Sequence, residues 1–447
     1  MQLGPNCNPI GTPPLRPLRQ AHPEKGPAKS LKRTGKTLKN ALIFCYICSE
    51  MKTHLLLLTL LFTVLPAATR AWTGRFLPQN EPLTIDDSLQ TLAERLLEGK
   101  QGSIVAIDPL TGEVRCMASS SYTADSVNRA ISVAYSPGST YKVAQGLTLI
   151  SENIIGQKSR FSCNEGFWKN NIHIGCHPHR SPLALIEAIG HSCNAYFCKA
   201  FMAMIENRKI YKNRRDAVNL WHAYMSSMGL GTPLGIDIEG ETGGLMPDAA
   251  CLDSLHKGRW NATTVMWMGM GQGEVSLTTL QLCNLAAAIA NRGWYITPHI
   301  RPVNHTAPDA GKYLIRHKTM ASAHAYDLVI QGMRHAIVSG TAAMINRGAY
   351  KICGKTGTAE NPNDDHSAFI GFAPMEKPRL CVAVYVENGG FGADLAAPIA
   401  ALLLEQYLTG KLSDNAEYRA RQWQSYAITP PQEKAKGSEP AQEKAPK

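Results

Sequence analysis

No apolar run in this 447-residue chain is long enough to span a bilayer comfortably, which excludes a polytopic membrane protein. No G-x-G-x-x-G follows a strand-like run, so a dinucleotide-binding fold has no anchor here, and no solenoid period appears. Charged residues are few, at 18%, while hydrophobic residues reach 44%, a balance that excludes wholesale disorder. The net charge of +11 hints at nucleic acid until it is located: residues 1–50 hold eight Lys/Arg against two Glu, leaving about +5 for the other 397 residues. The basicity belongs mostly to a leader and not to a binding face. Twelve cysteines are too dilute for a disulfide scaffold. Cys7, Cys45 and Cys48 precede any plausible mature start, and the remaining nine are an odd number, so at least one thiol stays free or binds something other than sulfur.

From Met51 the chain reads MKTHLLLLTLLFTVLPAATRA, a Lys, an uncharged run from Leu55 to Thr69 and small residues around Ala71. That order of regions is expected of a secretory signal over residues 51–71, cleaved or kept as a short anchor in the inner membrane, and it implies a periplasmic location. Residues 1–50, rich in Pro and Lys without periodicity, read as a leader that is disordered or not translated, with Met51 the favoured start. Thr429 to Lys447 has no apolar residue larger than Ala and Pro and reads as a disordered tail. The folded domain is therefore expected over residues 83–426.

Within it, Leu83 to Leu97 opens on a Thr-Ile-Asp-Asp cap signal and sets Leu89, Leu92, Leu96 and Leu97 on one helical face. SIVAID and EVRCMAS, separated by Pro109-Leu110-Thr111-Gly112, read as a hairpin. Asn153 to Ala290 mixes helices with Gly-rich loops. Tyr350 to Thr358, Ser367 to Phe372 and Arg379 to Val386 read as three more strands, and Asp394 to Leu408 as a closing helix. The order predicts an α/β (α+β) fold: a mostly antiparallel sheet with helices on both faces and a helical subdomain.

Ser139-Thr140-Tyr141-Lys142 follows Pro137-Gly138 at the start of a predicted helix. A serine needs a base to become a nucleophile, and a spacing of three brings Lys142 onto its face. A lysine serves as base only when burial or a second cation depresses its pKa. Alone, S-x-x-K arises by chance about once or twice in such a chain. Ser192-Cys193-Asn194, starting 53 residues on, adds a hydroxyl that can relay a proton and an amide that can hold a substrate. Lys355-Thr356-Gly357-Thr358 adds the second cation, two hydroxyls for a carboxylate, and a glycine leaving room for a ligand backbone along a strand edge. The ordered triple S-x-x-K, S-x-N, K-T-G is the signature of penicillin-binding proteins and active-site-serine β-lactamases.

On these residues the chain resembles a class B penicillin-binding protein, of the elongation-type penicillin-binding protein 2 kind, over roughly Leu83 to Leu408. Leu83-Thr84-Ile85-Asp86, Asn128-Arg129-Ala130, Gly271-Gln272-Gly273, Gly340-Thr341-Ala342 and Phe369-Ile370-Gly371-Phe372-Ala373-Pro374 extend the likeness. The resemblance implies that Ser139 is acylated by the D-Ala-D-Ala end of a peptidoglycan stem peptide, or by a β-lactam, with no catalytic cofactor. It implies Lys142 as base, Ser192 as relay, Asn194 as amide contact, and Lys355, Thr356 and Thr358 on the carboxylate. The backbone amides of Ser139 and Thr358 would form the oxyanion hole, and a cell-wall glycosyltransferase would be a partner. Only about thirty residues, Trp72 to Gly102, separate the apolar run from the first strand, so the family's usual pedestal is expected to be absent. A D,D-carboxypeptidase, a serine β-lactamase or a non-catalytic penicillin-sensing module are the alternatives; no E-x-x-L-N string supplies the deacylating glutamate of a class A lactamase.

Cys163, Cys176, His177, His179 and Cys193 cluster between the first two motifs. Cys163, Cys176, His179 and Cys193 suit a structural Zn²⁺; a Cys163–Cys176 disulfide and scattered buried thiols stay open beside it. Cys116, Cys198, Cys251, Cys283, Cys353 and Cys381 read as core, and His324, His335 and His366 as isolated histidines. The basic run Arg208 to Arg215 reads as a solvated helix face, with no nucleic-acid role.

Overall fold

The computed structural model describes residues 77–78, 81–123, 125–306, 310–361 and 364–429. The leader, the signal segment and nearly all of the tail lie outside the described residues. Among these no helix is long and apolar enough to cross a membrane.

Five strands form one antiparallel sheet: β1 (Gly102–Ile107), β2 (Val114–Ser120), β5 (Cys353–Ala359), β6 (His366–Ala373) and β7 (Leu380–Val386), in the order β2-β1-β7-β6-β5. A separate hairpin, β3 (Gly166–Lys169) with β4 (Ile172–Gly175), stands apart from it. Every residue of β1 and β7 is buried, because both faces of the sheet are covered. Their side chains divide by the strand period of two. Val105, Cys381, Ala383 and Tyr385 join the core on one face, and Ile104, Ala106, Val382 and Val384 the core on the other.

Helix α1 (Asp87–Leu97), capped by the Asp86 carboxylate on the Leu89 amide, lies on the second face with α7 (Ala396–Thr409) and α8 (Asp414–Ser425). The first face carries α5 (Thr279–Ala290), buried along its whole length, and the helical subdomain: α2 (Lys142–Ser151), α3 (Leu185–Gly190), α4 (Asn194–Ile205) and α6 (Ala323–Val338). Nine successive residues of α2, Lys142 to Ile150, are buried, so it is the central helix of the subdomain. The predicted strands and closing helix agree to within a few residues. Arg208 to Arg215 is no helix face, since Asn213 caps a helix that begins only at Arg214.

The edge strand β5 packs on the turn that carries the serine. Gly138 holds φ +53°, and a Cβ there would lie 2.5 Å from the Thr358 carbonyl oxygen. The close approach of strand and turn therefore requires glycine. Gly138→Ala is expected to lower unfolding stability by about 1–3 kcal/mol; an unchanged urea midpoint would contradict this packing.

Candidate active site

Ser139 sits in a 3₁₀ turn, Gly138–Tyr141, that runs directly into α2, with the Lys142 amide donating to the Ser139 carbonyl. The serine is partly exposed while Lys142 is wholly buried. Removal from water, opposed only in part by surrounding cysteines, pulls the Lys142 pKa down to about 8. Its Nζ donates to the Ser192 carbonyl at 2.7 Å, to Asn194 Oδ1, and at 3.4 Å to Ser192 Oγ.

Ser192 reaches that position through the end of α3. The Cys193 amide bonds the Ala188 carbonyl and the Ser192 amide bonds the Ile189 carbonyl, the paired bonds of a Schellman motif. Ser192 takes the left-handed place in it, at φ +57°, where glycine is the usual occupant. A serine kept in a conformation unfavourable for it marks a functional constraint, and its hydroxyl explains the choice. Lys355, also wholly buried, donates from β5 to Ser192 Oγ at 2.8 Å and to the Thr356 carbonyl at 2.8 Å. Burial, then the charge of Lys142, hold the Lys355 pKa well below the ordinary lysine range. One hydroxyl thus lies between two amines that cannot comfortably both be protonated.

Asn194 opens α4 and spends its other amide end on Gly175, at 2.9 Å. Ser139, Ser192, Asn194, Thr356 and Thr358 line one cleft of about 530 Å³ with Gly175, His177, Gln272, Thr341 and Phe391. All five expected catalytic residues and both threonines therefore converge. Gly357 has a different reason from the one expected: a Cβ there would meet Thr140 Cγ2 at 2.7 Å, so the glycine lets β5 close on the serine turn and does not clear space for a ligand. Thr341 is the residue whose role the motifs did not reveal. Its hydroxyl meets that of Thr356 at 2.6 Å; the Gly340-Thr341-Ala342 string was visible, but nothing in it points to β5.

Beside the cleft, one donor atom each from Cys163, Cys176, His179 and Cys193 gathers within 4.8 Å of the others. The three thiols are free, so the Cys163–Cys176 disulfide does not form. His179 joins this group, whereas His177 faces the cleft. Cys176 Sγ accepts from the Cys193 thiol and, at 3.3 Å, from the Asn194 amide, which depresses its pKa. Cys193 Sγ also caps α4 on the Tyr196 amide.

An S-x-x-K helix, an S-x-N turn and a K-T-G edge strand meeting in one cleft define the active-site-serine fold class. Residues 102–405 match the penicillin binding protein transpeptidase domain, and the chain belongs to that family. It is 30% identical to peptidoglycan D,D-transpeptidase MrdA of Acinetobacter baumannii over 379 residues, 71% of this chain and 52% of that protein. The chain spans about half the length of the curated relatives it matches. Among solved structures it is similar to Pseudomonas aeruginosa PBP2 (30% identity, TM-score 0.62, covering 74% of this chain and 77% of that one). It is also similar to a chain of a peptidoglycan synthase complex that coordinates polymerization and crosslinking (26%, TM-score 0.63, 74% and 63%). Within the family it is of the class B, PBP2-like kind.

Because Lys142 can accept a proton only when neutral, covalent labelling of Ser139 by a β-lactam reporter is expected to slow as pH falls below about 8, by about tenfold per unit, and to level off above it. A pH-independent labelling rate between pH 6 and 9 would exclude Lys142 as the base.

Proposed function

We propose that this chain is an exported D,D-transpeptidase that cross-links peptidoglycan stem peptides through an acyl-enzyme on Ser139. The observation that carries the reading is Ser192 Oγ, held between two buried amines at 2.8 and 3.4 Å in the cleft that contains Ser139. Neutral Lys142 takes the Ser139 proton as Oγ attacks the carbonyl of the penultimate D-Ala. The Ser139 and Thr358 amides receive the oxyanion. The proton returns through Ser192 to the leaving D-Ala amine, and the C–N bond breaks. The amine of a second stem then attacks the ester, its proton passing back to Ser139 as the new amide forms. The free edge of β5 suits a peptide laid along it, with the Thr356 and Thr358 hydroxyls at the terminal carboxylate. Lys355 is spent on Ser192 and Thr356 and supplies charge from beneath.

A β-lactam would acylate the same serine. Benzylpenicillin added to the purified chain is expected to give a one-to-one adduct by intact mass that persists for many minutes and is absent from Ser139→Ala. An adduct that forms and vanishes while drug is consumed would mean a β-lactamase, and no adduct would leave a non-catalytic module. Likeness to the peptidoglycan D,D-transpeptidase MrdA, whose substrate lies outside the cytoplasm, supports a periplasmic site of action at the inner membrane, and the neighbour from a complex that coordinates polymerization with crosslinking supports a cell-wall glycosyltransferase partner.

A structural Zn²⁺ held by Cys163, Cys176, His179 and Cys193 belongs to the same reading. Tetrahedral zinc with donors at about 2.0–2.3 Å needs them about 3.5–4 Å apart, and Cys176 Sγ to His179 Nε2 is 3.6 Å. The His179 Nδ1 lies 2.6 Å from the Arg180 carbonyl, which fixes Nε2 as the free nitrogen. The ion would hold Cys193, and with it Ser192 and Asn194, while doing no chemistry. Elemental analysis is expected to find about one zinc per chain, lost with a fall in melting temperature in Cys163→Ser; a metal-free chain with an unchanged melting temperature in that variant would refute it.

A further inference from the structure

The hairpin β3–β4 has a body-facing side and a bare side. Phe167 pairs with Ile174, and both join the main core. Trp168 pairs with His173 on the opposite face, 70% exposed, with the rings 4.8 Å apart. Next along that outer face come Gly166 and Gly175, again paired, which add no side chains. A Cβ on Gly175 would meet nothing within 4 Å. Asn170 and Asn171, at φ +47° and +63°, form the two-residue tip and expose their amides. The fold itself needs no tryptophan here, since Phe167 and Ile174 make the inward contacts and a cross-strand pair adds at most about 1 kcal/mol. A flat aromatic face beside exposed amide and imidazole groups is the chemistry that holds a sugar ring, C–H against π and hydroxyl or acetamido groups against polar side chains.

Position decides which sugar. Gly175, the last residue of β4, receives Asn194 Nδ2 and lines the cleft. Gly175 is thus the rim at which the cleft, proposed above to hold the stem's terminal carboxylate at Thr356 and Thr358, meets the hairpin. A stem that leaves the cleft over this rim in its amino-terminal direction runs onto the open face of the hairpin. An extended peptide advances about 3.3 Å per residue and so meets the Trp168–His173 pair within two or three residues. We propose that Trp168, His173 and the Asn170–Asn171 tip form a platform for the glycan strand that bears the donor stem. The proposal rests on the peptidoglycan reading above and assigns the sugar part of that substrate.

The test titrates the full chain with a peptide-free hexasaccharide of alternating N-acetylglucosamine and N-acetylmuramic acid, following the indole N–H resonance of Trp168, assigned with Trp168→Phe. The resonance is expected to shift to saturation. Trp168→Ala should weaken binding by about tenfold or more, while Trp168→Tyr should stay within about threefold. An unmoved resonance, or equal affinity in Trp168→Ala, overturns the platform and points to a protein partner on this face. Benzylpenicillin carries no sugar, so its adduct on Ser139 reports separately on the catalytic reading: failure there with a shifting Trp168 would sink the transpeptidase and keep the glycan site.

Discussion

Two lysine amines kept out of water on either side of a single serine hydroxyl impose most of the local design. An isolated ammonium in an apolar interior is expensive, and two are worse. Lys142 and Lys355 are tolerated because Ser192, Asn194 and the Thr356 carbonyl accept hydrogen bonds from their amines. That arrangement demands a central helix buried all round, an edge strand pressed onto the serine turn, and a serine in a backbone conformation suited to glycine. Each appears at the residue that has to supply it: α2 from Lys142, Gly138 against Thr358, and Ser192 at the end of α3.

Much of this is legible in the amino-acid sequence alone. Strands buried on both faces are written as short apolar runs, so the sheet could be read directly, and the three ordered motifs named the residues that meet. What stayed hidden depends on contacts between distant segments. Gly357 looks like a ligand clearance until Thr140 is seen beneath it. Thr341 gains meaning only from Thr356 across a 2.6 Å contact. The β3–β4 hairpin escaped because its four-residue strands are too short to show alternation, although two adjacent asparagines at its tip mark a left-handed turn. Nor did the polar α8 announce itself, since only Ala416 and Ala420 are buried along it.

The segment between α2 and α4 is bound back on itself. Cys163 lies near its start, Cys176 just after the hairpin and Cys193 at its end, and all three meet His179 in one cluster. The hairpin is thereby anchored at both of its ends next to Asn194, and the Cys193 sulfur also caps α4. A perturbation of the sulfur cluster has a short route to the Ser192 hydroxyl, one peptide away.

The strand order has a consequence in time. β1, near the start of the folded part, is completed on one side by β7, with Gly102 opposite Val386. A chain that emerges from its amino terminus holds β1 and β2 for nearly the whole of its synthesis without the neighbour that closes the sheet, and Ser139 waits equally long for β5. Contacts of such wide sequence separation form late and slowly. The serine therefore becomes competent only after almost the entire domain has been delivered, and a chain stalled or cut before β7 carries every residue of the S-x-x-K, S-x-N and K-T-G motifs without the sheet that brings them together.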